Sequence, residues 1–283
     1  MSRVIARGEA HREFIKLFDG LCRTHARWQV WQDLILMTAA AISNAVDSVH
    51  RDQRERQYME AIKRYSSEEA QIFPELFALL VMALDANPFQ DFLGDLFMQL
   101  ELSSHWHGQF FTPFCVCKMM AEMNREAMAR GVAQKGWISV CDPACGAGAT
   151  LIAAAQTMDE ANINYQQHAL FVGQDIDSTA GLMCYIQLSL IGCAGYIKIG
   201  NSLTEPMTGD VLFGEQSDAM WYTPMFFQDV WHWRRAWRMV DRMIGQTPLP
   251  PAAEAAPFEA PAIVEVSGQK RGRAQGQLMF DVG

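Results

Sequence analysis

Apolar residues recur at helical spacing through Trp28, Trp31, Leu34, Ile35 and Met37, and the alanines that follow carry the stretch on without Gly or Pro. That period predicts an amphipathic helix. A second such run covers Ile72 to Leu84, Asn87-Pro88 marks a break, and Phe89 to Leu100 resumes the pattern. Residues 1–104 are therefore expected to form a helical N-terminal domain. From Trp137 the pattern changes. Trp137-Ile-Ser-Val-Cys141 reads as a short buried strand ending in Asp142, and an Ala-rich helix follows from Ala149 to about Met158. Ala169-Leu-Phe-Val172 is a second strand ending near Asp175, with a helix from Ser178 to Ile191 behind it. Tyr196 to Ile199 is a third, closed by Gly200-Asn201. Strands alternating with helices imply α/β architecture with a parallel sheet. This domain is expected over 105–245. From Gln246 to residue 283, prolines among alanines and glutamates give way to GQKRGRAQGQ, which offers no core and reads as a disordered tail.

Composition narrows the class. Of 283 residues, 50% are hydrophobic and 19% charged, ample for a packed core. The longest apolar runs are too short and too mixed to span a bilayer, so no membrane role is expected. The charged N-terminus has no apolar signal core, and the seven cysteines form no CxxC pair. Both point to reduced thiols in the cytoplasm and no metal site. His105 and His107 lack nearby carboxylates or cysteines in a ligating pattern. The net charge of −9 disfavours coating nucleic acid through bulk positive charge. Between Gly136 and Asp229 one basic residue, Lys198, faces ten acidic ones.

The strongest chemical signal is Asp142-Pro-Ala-Cys-Gly-Ala-Gly148, set between a strand and a helix. Its glycines let backbone N–H groups meet a ligand without side-chain obstruction. It lacks the Lys-Ser/Thr ending and the GxGxxG spacing of phosphate loops, so a ligand without phosphate fits better. The second signal is Gly173-Gln-Asp-Ile-Asp177. An acid at the end of the second strand is placed to accept both hydroxyls of a ribose. Asp175 is the better candidate, and Asp177 serves either that role or as the cap of the next helix.

These residues resemble the N6-adenine DNA methyltransferases that form the modification subunits of type I restriction systems. Asp142 to Gly148 matches that family's cofactor loop. Asp91-Phe-Leu-Gly-Asp95 resembles its D-x-L-G helix, and Gly108-Gln-Phe-Phe-Thr-Pro113 its G-E/Q-F-Y/F-T-P segment. Gly173 to Asp177 and Gly200-Asn-Ser-Leu203 follow in the family's order, so the likeness covers roughly residues 88 to 205. The resemblance implies a Rossmann-like methyltransferase sheet and a pocket for S-adenosylmethionine (SAM). Asp142, Ala144 and the backbone from Cys145 through Gly146 to Gly148 would face the methionine part. Phe111, Thr112 and Pro113 would flank its carboxylate and adenine side. Asp175 would hold the ribose, next to Ile176, and Asn201 and Ser202 would approach the adenine.

The family transfers methyl with an N-P-P-Y/F tetrapeptide after the fourth strand, whose polar groups hold the adenine amino group of a flipped base. No such string follows Asn201. The nearest segment is Trp221-Tyr-Thr-Pro-Met225, where a hydroxyl of Tyr222 or Thr223, beside Pro224, stands in for the acceptor; its aromatics read equally as core. Arg234, Arg235, Arg238 and Arg242, interleaved with Trp231, Trp233 and Trp237, suit DNA phosphates and unstacked bases, or else form a solvated helix face. Gln275-Gly-Gln-Leu-Met-Phe280 resembles peptides that bind sliding clamps. The expectation is an adenine-N6 DNA methyltransferase working with a specificity subunit or another DNA-binding partner. The alternatives are a catalytically retired SAM-binding regulator and a methyltransferase for another acceptor.

Overall fold

A computed structural model describes residues 7–100, 102 and 111–244. The described residues up to Val240 form one compact unit.

The N-terminal third is helical, as its apolar period predicts. It holds α1 (Arg7–Leu21), α2 (Arg27–Asn44), α3 (Arg51–Ile62), the short α4 (Ser67–Ala70), α5 (Ile72–Ala86) and α6 (Phe92–Gln99). Ser66 opens α4 with a reciprocal capping box to Glu69. The Asn87-Pro88 break separates α5 from α6 as expected, because proline disfavours helix at the residue before it. Helices α7 (Phe114–Met123) and α8 (Arg125–Lys135) then lead into the sheet.

Next come β1 (Ile138–Asp142), α9 (Ala149–Glu160), α10 (Tyr165–His168), β2 (Ala169–Asp175), α11 (Ser178–Leu190) and β3 (Ala194–Ile199). The strands sit where the sequence puts them, with β2 and β3 longer than expected. β4 (Met220–Tyr222) and α12 (Asp229–Ile244) complete the described chain. Strand order is β1-β2-β3-β4. The first three are parallel, with Val140 opposite Phe171 and Val172 opposite Tyr196, whereas β4 runs antiparallel to β3 with Tyr222 opposite Tyr196. Each strand is added on the same side of the last. Among the described residues, β1 is therefore an edge strand.

One face of the sheet carries Phe171 and Ile197, packed with Ile152 and Ala155 of α9 and with Tyr185 and Ile186 of α11. That core continues without interruption into Phe14, Trp31, Leu76 and Phe92 of the N-terminal helices. The helical segment and the sheet thus share a single interior. Burial of each such large side chain contributes about 1.5–3 kcal/mol. Leu170, Val172, Tyr196 and Tyr222 occupy the other face, covered by Phe226 and Trp231. Near β1 that second face is open, and Ser139 and Cys141 are exposed. The tie between helices and sheet is polar as well. Buried Arg54 pairs with Asp47 at 2.8 Å, donates to the Ser43 hydroxyl, and donates to the Met220 carbonyl at 2.6 Å. No described helix is long and apolar enough to cross a membrane.

Candidate ligand site at the strand ends

The turn after β1 is built from its own backbone. Asp142 Oδ1 accepts from Ala144 N–H at 3.0 Å, and Gly148 N–H donates to the Cys145 carbonyl at 2.8 Å. Cys145 N–H donates to the Gln174 carbonyl at 3.0 Å, which pins the turn to β2. Gly146 has φ +52° and Gly148 φ +98°, a region that favours glycine. A Cβ on Gly148 would stand 2.8 Å from Cys184 Sγ, and one on Gly146 would stand 3.0 Å from the Phe111 ring. Glycine thus lets the turn pack directly against Cys184 of α11 and against Phe111.

Asp175 ends β2 beside that turn. Its Oδ2 accepts from Gly146 N–H at 2.8 Å and its Oδ1 from Asp177 N–H at 2.9 Å. Burial pushes its carboxyl pKa up, against the pull of these two N–H donors. Asp177 caps α11, accepting from Ala180 N–H at 2.9 Å. Ile176, between them, leaves a large apolar side chain 67% exposed at the strand end. Asn201 turns its Oδ1 back on Leu203 N–H, leaving its amide N–H groups to point elsewhere, and Ser202 next to it is half-buried. Phe111 packs against Phe97 with centroids 5.2 Å apart, and Thr112 and Pro113 are exposed at the start of α7. The structure therefore brings Phe111, Gly146, Asp175 and Ile176 together with the Asp142–Gly148 turn. Gly108, Gln109, Phe110 and the two histidines before them lie outside the described residues.

Gln187 was not singled out in the sequence, yet it holds this region. Fully buried on α11, it donates to Asp91 Oδ1 and to the Ala147 carbonyl, both at 2.8 Å, and accepts from Leu93 N–H at 3.1 Å. Asp91 in turn caps α6 through Gly94 N–H, and a Cβ on Gly94 would meet the Asp91 carboxylate at 2.1 Å. The D-x-L-G helix is thereby clamped to the glycine turn. A lone amide within the apolar run Leu182 to Ile191 was the available signal.

Tyr222, Thr223 and Pro224 are not brought to this site. Because β4 runs antiparallel, its end lies beside the start of β3. Thr223 N–H bonds the Gly195 carbonyl, four residues before the Ile199 that pairs with Asp175. That is about 13 Å along the strand at roughly 3.3 Å per residue. Thr223 is fully buried, and its hydroxyl donates to the Cys193 carbonyl at 2.7 Å while accepting from Gly195 N–H. The Tyr222 hydroxyl donates to the Glu215 carbonyl at 2.8 Å. Neither hydroxyl faces the turn, and Pro224 starts a 3-10 turn over the opposite sheet face. The aromatic cluster is core.

On α12, Trp231 points inward and donates to the Gln166 carbonyl, while Trp233 and Trp237 are exposed. The arginines turn to the protein itself. Arg234 donates to the carbonyls of Gln167 and Gly136, and Arg238 pairs with Asp210 at 3.0 Å. Arg235 lies over the Phe226 ring at 3.9 Å, and burial lowers its pKa to about 10. Among the described residues no cluster of His, Cys, Asp or Glu could hold a metal ion. The clamp-like Gln275–Phe280 segment lies outside the described residues.

The glycine turn between β1 and α9 and the acid closing β2 thus lie side by side at the C-terminal ends of two parallel strands. The family model for N-6 DNA Methylase matches residues 90–258, and the chain belongs to that family. The type I restriction enzyme MjaIX methylase subunit of Methanocaldococcus jannaschii is 26% identical over 125 residues, which cover 44% of this chain and 20% of the relative. The match thus takes in about a fifth of that curated relative's length. No solved structure matches the chain.

Proposed function

We propose that the chain binds SAM in the crevice at the ends of β1 and β2, in a methyltransferase-type fold, and serves methylation of adenine N6 in DNA with a partner. The observation that carries this is the 2.8 Å bond from Gly146 N–H to Asp175, which joins the glycine turn to the ribose-type acid, with Phe111 against Gly146. SAM has no phosphate, and the crevice offers Asp142, Asp175 and backbone groups rather than cations. Asp142, Ala144 and the Cys145–Gly148 backbone face the methionine part. Thr112 and Pro113 flank it with Phe111, Asp175 accepts the ribose hydroxyls, and Ile176 lies on the adenine with Asn201 and Ser202 at its edge. When bound, SAM would supply the methyl on its sulfonium; its transfer to N6 would leave the neutral thioether S-adenosylhomocysteine and release the N6 proton to solvent. The partner supplies DNA recognition, as a specificity subunit or another DNA-binding protein, because the middle of the chain is acidic and α12's arginines are engaged within the protein.

A second reading, a SAM-binding regulator without transferase activity, is favoured by the distance of Tyr222, Thr223 and Pro224 from the crevice. One experiment separates the two. SAM affinity is measured by calorimetry for the wild type and Asp175→Ala, and N6-methyladenine is quantified in genomic DNA of a methylation-free host. SAM binding that Asp175→Ala abolishes, together with methylated adenine on co-expression with a partner from the native host, supports the enzyme. SAM binding with unmethylated DNA in every combination supports the regulator. A wild type that fails to bind SAM overturns both.

A further inference from the structure

Helix α12 is amphipathic, and it is seated with its charged side toward the protein. Trp231 is fully buried, and its indole N–H donates to the Gln166 carbonyl at 2.6 Å. On the same side Arg234 donates to the carbonyls of Gln167 and Gly136, Arg235 lies over the Phe226 ring, and Arg238 pairs with Asp210 at 3.0 Å. These bonds fix the rotation of the helix. The side turned to solvent carries Trp233, Trp237, Val240 and Ile244, of which the two tryptophans are 64% and 67% exposed. An ordinary surface helix does the reverse, with its apolar stripe on the core and its charges in water.

The stripe has the spacing of a seam between helices. Its members stand four, three and four residues apart, the step at which one face of a helix keeps meeting a second helix. The tryptophans hold its first half and the branched aliphatic residues its second. An identical helix laid antiparallel would set Trp233 against Ile244 of the second copy and Trp237 against its Val240, a large ring against a smaller side chain in every layer. Laid parallel, tryptophan would meet tryptophan and the aliphatic pairs would leave gaps, which close packing disfavours. The charges agree with the antiparallel arrangement. Arg234 and the exposed Asp241 stand seven apart, on the same flank of the stripe. Reversing the second helix would bring each Asp241 beside the other copy's Arg234, twice over by symmetry. Arg234 donates to neutral carbonyls, so a carboxylate joins it without displacing an internal ion pair.

We propose that this face of α12 is a contact between two copies of the chain, antiparallel about a two-fold axis. The occupant is a second copy because the stripe complements itself in both side-chain size and charge. A net charge of −9 repels nucleic-acid phosphates and anionic lipid headgroups, which sets those surfaces aside. Burying the stripe from both copies removes on the order of 1,000 Å² from water, close to the lower end of stable specific interfaces. An interface of that size fits a reversible dimer with a micromolar dissociation constant. The contact uses α12 alone and does not rest on SAM binding at the strand ends.

The test is sedimentation velocity of the full chain from low to several hundred micromolar. It is run on wild type, on the double variant Trp233→Gln/Trp237→Gln, on Asp241→Arg and on Asp241→Asn. Wild type is expected to pass reversibly from monomer to dimer as concentration rises. The double-glutamine variant should raise the dissociation constant a hundredfold or more. Asp241→Arg, which sets like charges beside Arg234, should raise it about tenfold, and further than Asp241→Asn does. Each substituted side chain faces solvent in the monomer, so circular dichroism should match wild type. A wild type that stays monomeric throughout would overturn the proposal and leave the stripe to a different protein. A dimer that survives the double-glutamine change would place the contact elsewhere and overturn it as well. A dimer weakened by glutamine but untouched by Asp241→Arg would overturn the antiparallel register. SAM titration of the same four proteins reports on the crevice independently.

Discussion

Gly146 donates its amide hydrogen to Asp175 at 2.8 Å, joining the turn after β1 to the end of β2. The acid is thus a structural support for the glycine turn as well as the proposed ribose acceptor. Burial raises its pKa, so the charged form is the disfavoured one. For a raised carboxyl, stability is full below the ordinary aspartate value and is lost as pH rises through the folded value. Asp175→Asn removes the charge but keeps only one of the two acceptors, so either the Gly146 or the Asp177 N–H loses its partner. It is expected to be less stable than wild type at pH 7 in urea unfolding by about 1–3 kcal/mol, while SAM affinity in calorimetry falls tenfold or more. Asp175→Ala removes the remaining acceptor too and should lose more of both.

Gln187→Leu tests the clamp between α6 and the glycine turn. It removes two donated bonds and one accepted bond at a fully buried position. Leaving buried partners unsatisfied costs about 1–3 kcal/mol apiece, so a loss of about 3 kcal/mol in urea unfolding is expected. SAM binding should weaken with it, because Ala147 sits inside the turn.

Gly148→Ala places a methyl group at φ +98° and 2.8 Å from Cys184 Sγ. Strain and overlap together should destabilise the chain by about 2 kcal/mol. Pairing it with Cys184→Ala relieves the overlap while leaving the backbone strain. The double variant should therefore recover part of the cofactor affinity in the same calorimetric assay.

Glu122 supplies the clearest pH dependence. The Arg125 guanidinium and the Lys118 ammonium hold its carboxyl down at about 2. A depressed acid stabilises the fold above its unfolded value of about 4.3 and loses that contribution as pH falls towards 2. Glu122→Gln should flatten the acid limb of a thermal-melting profile between those values and leave the limb above pH 6 parallel to wild type. An unchanged acid limb would show that the pairs of Glu122 with Lys118 and Arg125 contribute nothing measurable.

The thiols divide by exposure. Cys115 and Cys141 are exposed, whereas Cys117, Cys145, Cys184 and Cys193 are buried. Titration of the native chain with an aromatic disulfide should modify those two first. Cys22, half-buried with its pKa raised to about 11 by burial, should follow slowly, and the rest only on unfolding. Rapid reaction of Cys145 would mean that the glycine turn opens in solution.

What the sequence determined by itself is local. Helix periodicity, the break at Asn87-Pro88, the three parallel strands and the glycine turn all depend on residues within a few positions of one another, whereas Asp177 stands open between ribose acceptor and helix cap until the structure gives it the cap. The acid closing β2 was legible for the same reason, since a strand's end and the turn after it are read from one short run. Tertiary structure decided the rest. β4 is antiparallel to β3, and only this sends Thr223 to the far end of the sheet and buries a hydroxyl that the motif's spacing had set near the crevice. Arg234 and Arg238 read as a basic stripe until their partners arrive from Gln167, Gly136 and Asp210. Arg54 meets the Met220 carbonyl across 166 residues. A charged or amide side chain acquires its role from what it touches, and contacts across such separations leave no trace in the local pattern.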